Sequence, residues 1–433
     1  MARPRTRIPL NVFLNGRHVG QLRRDTSGAV EFQYDPSWLA WDNAIPVSLS
    51  LPLREERFVG APVVAVFENL LPDNDTIRRR VAERSGAAGI DPHSLLTAIG
   101  RDCAGALQFI PDTEETKPFG HIEGRRLADG EIGAILKDLG TNPLGIADGE
   151  FRISLAGAQE KTALLRWKGR WYRPEGATPT THILKPPIGM LPNGIDLSNS
   201  VENEHFCLEL VRAFGLPAAK SEIAEFDGKR TLVVERFDRL WTRDKRLLRV
   251  PQEDCCQALS VPPGLKYENQ GGPGIVQVTE LLKGSDAPGP DQIGFFKAQV
   301  IFWLIGATDG HAKNFSIRLA PGGRFALAPL YDVLSAQPSL DAGQIRRNQM
   351  KLAMALGKGR HYVVHTIAAR HFIETAHQSK LPIDPRTVLE EVADTAARAV
   401  ETTLDALPPR FPSEVAASIA NAALARRELL SAG

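Results

Sequence analysis

Cysteine is scarce: Cys103, Cys207, Cys255 and Cys256 are the only 4 in 433 residues. None forms a C-x-x-C pair, and the adjacent Cys255 and Cys256 are poorly placed to bridge each other, so neither a zinc site nor a disulfide framework is expected. A reducing cytoplasm suits such a chain best. No run approaches the roughly 20 apolar residues of a membrane span. The start Met-Ala-Arg-Pro-Arg-Thr-Arg is basic, but it leads into a stretch too short and too polar for a secretory leader. Net charge is nearly absent, +1 from 52 Lys and Arg against 51 Asp and Glu. That balance excludes a global pull toward nucleic acid or membranes and leaves local clusters, Arg78-Arg79-Arg80 and Arg346-Arg347, that read first as solvated faces. An internal repeat of solenoid period is also lacking.

What is present is an ordinary globular composition, 43% hydrophobic and 24% charged, long enough for two or three domains. Residues 12–22 read as a hairpin around Asn15-Gly16 and open a small β-containing unit. A helix follows a turn at 76–83, and the first unit is expected to end near Asp112, with polar residues 112–120 as connector. Strands are then predicted at 162–167 and 170–172 around Lys168-Gly169, at 181–185, and at 224–226 and 231–234 around Asp227-Gly228. A helix over 202–214, closed by Gly215, interrupts them. From 292 onward the pattern is mainly helical, with a strongly apolar helix over 292–307 and further helices over 385–407 and 412–430. Strands with one helix first and helices afterwards is a two-lobed layout, divided here as 1–112, 113–250 and 251–433.

Just past the apolar helix, Asp309 precedes Asn314 by five residues and Asp332 follows shortly after. Phosphoryl transfer needs that division of labour: a carboxylate to accept the proton of the attacking hydroxyl, then an amide oxygen and a second carboxylate to hold Mg²⁺ against the phosphates. Asp309 is the candidate base; Asn314 and Asp332 are the candidate metal ligands. Upstream, Ala156, Gly157, Ala158, Gln159, Glu160 and Lys161 form a small-residue loop whose backbone N–H groups can approach phosphate oxygens. It is not a Walker A loop, because Glu160 stands where the final Gly is required. Lys185 ends a strand before Pro186-Pro187 and is the candidate phosphate lysine, with either Glu202 or Glu204 placed to pair with it. Glu235-Arg236-Phe237 falls where a hinge presents backbone groups and an apolar surface to a purine.

Taken together, these motifs resemble the HipA-type serine/threonine kinases, toxins of bacterial toxin–antitoxin pairs. The resemblance also rests on the runs 67–74, 251–254 and 271–274 and extends beyond residue 336. It implies an α+β, protein-kinase-like fold: a β-rich N-terminal lobe fused to an extra subdomain, and an all-helical C-terminal lobe. It implies Asp309 as catalytic base, Asn314 and Asp332 on Mg²⁺, and the loop, Lys185, His311, Lys313 and Tyr331 around ATP, with Glu235 to Phe237 at the adenine. Ser154 is implied as an autophosphorylation site that switches the enzyme off, through a phosphate placed beside the nucleotide loop near Arg152 and Lys161. Implied partners are a small helix-turn-helix antitoxin (HipB-like), operator DNA mainly through that antitoxin, and an aminoacyl-tRNA synthetase as substrate, a glutamyl-specific one first. Other readings are a non-catalytic antitoxin partner and corepressor, and a small-molecule phosphotransferase. The presence of Lys185, Asp309, Asn314 and Asp332 together favours the kinase.

Overall fold

Left-handed residues mark where the chain reverses. A computed structural model of the protein describes residues 8–24, 28–114, 120–146, 153–157 and 159–430. Asn15 and Gly16, at φ 48° and 80°, join the strands Leu10–Leu14 and Arg17–Arg24, as expected for the two positive-φ residues of a type I′ hairpin. Val30–Tyr34, Phe58–Val59 and Leu107–Pro111 complete an antiparallel five-stranded sheet, with the last strand beside the first. The helices Ala61–Glu68 and Pro92–Ile99 pack on it, and Asp75–Ser85 packs on the latter helix. Asn74 caps Asp75–Ser85 by accepting from Thr76 N at 2.8 Å.

A second, six-stranded antiparallel sheet follows. Its spatial order is Ser221–Phe226, Lys229–Glu235, His182–Lys185, Thr162–Trp167, Arg170–Pro174 and Gly124–Arg126. The turns Lys168-Gly169 and Asp227-Gly228 again carry positive φ. The helix Ser200–Ala213 lies against the outer strands and ends before Gly215, at φ +86°. One apolar cluster runs from Leu10, Phe32 and Phe67 to Leu164, Leu184 and Val233, so the two sheets share a core.

The remainder packs around Pro288–Ile305, a helix buried along nearly all of its second half and closed by Gly306 at φ +68°. Ile275–Leu282, Ala369–Ser379, Pro385–Asp405 and Ser413–Arg427 surround it. This lobe is mainly helical but not all-helical, which corrects the expectation. Gln252–Asp254, Ser316–Leu319 and Phe325–Leu327 form a three-stranded sheet, and Lys351–Leu356 pairs with His361–Val363. A weak alternation over 324–329 after the turn Gly322-Gly323 signals the strand Phe325–Leu327 in the sequence, whereas strands as short as Gln252–Asp254 and Ser316–Leu319 leave no period of two to register. Most of the expected connector, like Arg152 and Ala158, lies outside the described residues. Among the described residues no helix is long and apolar enough to cross a membrane.

Candidate active site

The strand His182–Lys185 delivers Lys185 to the cleft between the second sheet and the helical lobe, where its residue is only 5% exposed. Its Nζ donates to Glu204 Oε1 at 2.7 Å and to Asp332 Oδ1 at 2.7 Å. The structure thus distinguishes the two glutamates: Glu202 pairs with Arg230, and Glu204 faces the lysine. Burial opposes the Lys185 charge, but Asp332 and Glu204 outweigh it and raise its pKa. Burial likewise works against the Asp332 carboxylate, yet Lys185 and then Lys161 hold it well below the usual range. Asp332 adopts φ 58°, a left-handed backbone that costs a residue with a Cβ roughly 1 kcal/mol and is kept where surrounding contacts enforce it.

Gly306 ends the long buried helix and Asp309 follows three residues later, its side chain 56% exposed. Asn314 Nδ2 donates to the Asp309 carbonyl at 2.7 Å, and His311 N donates to the same oxygen at 2.8 Å. These bonds fold the loop tightly. No described residue donates to Asn314 Oδ1, the atom a cation needs. Tyr267 Oη donates to Asp309 Oδ1 at 2.6 Å, and His311 Nε2 stands 3.9 Å from Oδ2. His311 is buried, which lowers its pKa, and its ring meets Tyr267 edge-on at 4.9 Å.

The phosphate-loop candidates are held by the N-terminal unit. Ile153 bridges to Asp102 and Gly157 to Pro72, both in parallel, while Ser154 Oγ donates to Leu70 O at 2.6 Å and is fully buried. Gly157 has φ +103°, and a Cβ there would stand 2.7 Å from the Lys161 ammonium. Ala156 is half-buried, and Gln159 Nε2 donates to Pro186 O at 3.3 Å. Glu160 turns outward to Arg80.

Not every residue assigned to the nucleotide faces it. Arg236 is buried in a charge cluster: it donates to Asp102, Thr180, Asp238 and the Cys103 carbonyl, so its side chain points away from the cleft. Lys313 is likewise engaged by Asn69 Oδ1 at 2.8 Å and Asp254 Oδ2 at 2.9 Å. A buried cation needs such partners. Here they come from the N-terminal unit and the small sheet, which no spacing around residue 313 announces. Glu235 is exposed, with Lys220 at 4.0 Å. Phe237 and Tyr331 face each other at 5.6 Å, and Tyr331 Oη reaches Lys313 O and Ser316 Oγ.

The sequence reading passed over Tyr267, Lys266 and Asp73 as site residues; Lys266 Nζ donates to Asp73 Oδ2 at 2.8 Å. Lys266 and Tyr267 stand as a lone pair in a Pro- and Gly-rich stretch, and Asp73 lies in the run 67–74, which carries the resemblance but no readable chemistry.

The HipA-like C-terminal domain family matches residues 153–403, and the HipA N-terminal domain family matches 10–110. The putative kinase Y4mE of Sinorhizobium fredii is 39% identical over 355 residues, covering 81% of each chain. The serine/threonine-protein kinase toxin HipA of Shewanella oneidensis is 28% identical over 363 residues, covering 81% of this chain and 78% of that one. The solved complex of Shewanella oneidensis HipA with HipB and its operator DNA superposes with a TM-score of 0.80 at 25% identity, over 97% of this chain and 96% of that chain. On the match of both domains and of nearly the whole two-lobed fold, the chain belongs to the HipA family of kinase toxins.

Proposed function

We propose that the protein transfers the γ-phosphoryl group of ATP to a serine or threonine hydroxyl of a protein substrate, and in doing so arrests growth. The observation that carries this reading is Lys185, whose ammonium bridges Glu204 and Asp332 at 2.7 Å each. A phosphate lysine in place on its helix glutamate, next to the metal-binding Asp, is what a competent kinase cleft requires. The donor set suits Mg²⁺, since Asp332 is held as a carboxylate and Asn314 leaves an amide oxygen unengaged. When bound, Mg²⁺ would neutralise charge on the transferring phosphate. Lys185 and Lys161 bring positive charge to the phosphates, and Gly157 lets the loop backbone approach them. Phe237 and Tyr331 offer an apolar wall for the adenine. Asp309 takes the proton from the acceptor hydroxyl.

The same reading extends to control. Ser154 is fully buried against a carbonyl oxygen. A dianionic phosphate has no place in that seat, so phosphorylation at Ser154 would keep the loop out and withdraw its N–H groups from the nucleotide. The solved relative contains HipB and operator DNA. We assign to this chain a similar helix-turn-helix antitoxin, DNA contact mainly through it, and an aminoacyl-tRNA synthetase, glutamyl-specific first, as substrate. The test is incubation with Mg²⁺ and ATP followed by mass spectrometry. Phosphate should appear on Ser154 of the unchanged chain, while Asp309→Asn and Asp332→Asn should each slow transfer by about a hundredfold or more. Undiminished transfer by Asp309→Asn would remove the base assignment.

A further inference from the structure

The Asp309 carboxylate stands half in solvent, and its hold is unusual. Asn314 and His311 bond only to its main-chain carbonyl. His311 Nε2, at 3.9 Å, is beyond hydrogen-bond reach of Oδ2. Among the described residues the one hydrogen bond to the carboxylate comes from Tyr267, Oη to Oδ1 at 2.6 Å. We infer that Tyr267 is a positioning residue for the base: its phenol fixes Oδ1, so that Oδ2 faces the acceptor hydroxyl. The inference rests on the phosphotransfer reading above.

Two facts separate this from the opposite possibility, a tyrosine that plugs the acceptor position and must leave. First, Tyr267 is clamped on both sides. Lys266 is bonded to Asp73 at 2.8 Å, and Glu268 Oε2 accepts from Ala355 N at 2.6 Å. The segment closes on itself behind the ring, with Gly272 N donating to Tyr267 O at 3.0 Å. A Cβ on Gly272 would fall 1.9 Å from Leu265 O, so only glycine permits that closure. Second, the phenol takes one carboxylate oxygen and leaves the other open. Burial and the neighbouring Asp309 both push the Tyr267 pKa up, so the phenol remains the donor at physiological pH. A base free to turn about its side-chain torsions loses near-attack geometry, and misplacement of about 1 Å costs on the order of a hundredfold in rate.

The experiment is single-turnover transfer of label from [γ-³²P]ATP into the protein's own serine, with MgATP affinity measured by calorimetry on the same full-length samples. Tyr267→Phe removes one oxygen and keeps the ring against His311. We expect transfer to slow by roughly ten- to a hundredfold with affinity for MgATP changed less than about twofold. In an Asp309→Asn background, the same substitution should cost nothing further, because groups that act as a unit are not additive. An unchanged or faster rate would overturn the positioning role, the faster rate pointing to a plug. An equal loss in both backgrounds would reduce Tyr267 to a structural residue. Absence of transfer by the unchanged chain would instead remove the phosphotransfer reading, and this inference with it.

Discussion

Single carboxyl groups in this protein are set to opposite states by what stands beside them. Asp332 stays ionised although buried, because Lys185 and Lys161 face it. Glu253, 1% exposed, has no cation beside it among the described residues. Burial pushes its pKa from 4.5 up to about 8, and neither Leu49 N, donating to Oε1 at 2.8 Å, nor the nearby Ser48 hydroxyl offsets it. At pH values where an unfolded glutamate is already ionised, the folded one keeps its proton, so folding takes up a proton. The stability this group contributes is therefore complete below about 4.5 and is lost as pH rises toward about 8, at up to about 1.4 kcal/mol per pH unit. Denaturant titrations across that range should show the fall in the natural chain and a flatter profile in Glu253→Gln, whose side chain carries no proton to lose.

At the scale of elements, the segment 153–157 lies along the N-terminal unit, bridged only at its two ends, Ile153 to Asp102 and Gly157 to Pro72. Its shape depends on Gly157. Gly157→Ala meets both an unfavourable φ and the Lys161 ammonium, and should weaken ATP binding about tenfold, by a penalty of about 1–2 kcal/mol, which calorimetry would read. Elements such as the hairpins at Asn15-Gly16, Lys168-Gly169 and Asp227-Gly228 were legible in the sequence because a two-residue reversal demands positive φ, and few residue types supply it. The long apolar helix was legible for the same kind of local reason, although it starts earlier, at Pro288, and stops at Ile305 with Gly306 as cap rather than running to residue 307. Residues 153–157 pair with partners some fifty to eighty positions upstream, and Tyr267 meets Asp309 across 42 positions. No periodicity or spacing encodes such contacts. Arg236 and Lys313 sat in motifs that suggested a nucleotide, while their actual partners, Asp102 and Asn69, come from the first hundred or so residues.

Across the whole molecule the N-terminal unit does more than extend the fold. Asp102 accepts from Thr180, Arg236, Arg239 and Arg249, and Asp238 from Arg236, Arg239 and Gly105 N. Five buried charges thus join the N-terminal unit to the segment 236–249 beyond the second sheet. Burial disfavours the Asp102 carboxylate, but the three arginines hold its pKa far below the usual range. Removing that charge leaves three guanidinium groups with one carboxylate. Asp102→Asn should therefore destabilise the fold by about 3–5 kcal/mol, read as a lower urea midpoint with an unchanged slope.

The same unit reaches the helical lobe through Lys313 on Asn69, Lys266 on Asp73 and Leu49 on Glu253. Two lobes stitched to a common third body cannot gape freely along the stitched edge. On the proposed kinase reading, nucleotide would enter and leave on the side away from those stitches, past residues 153–157. On the same reading, a departure of residues 153–157 from Leu70 would expose Ser154 at the same moment, so release of spent nucleotide and the proposed phosphorylation would share one opening.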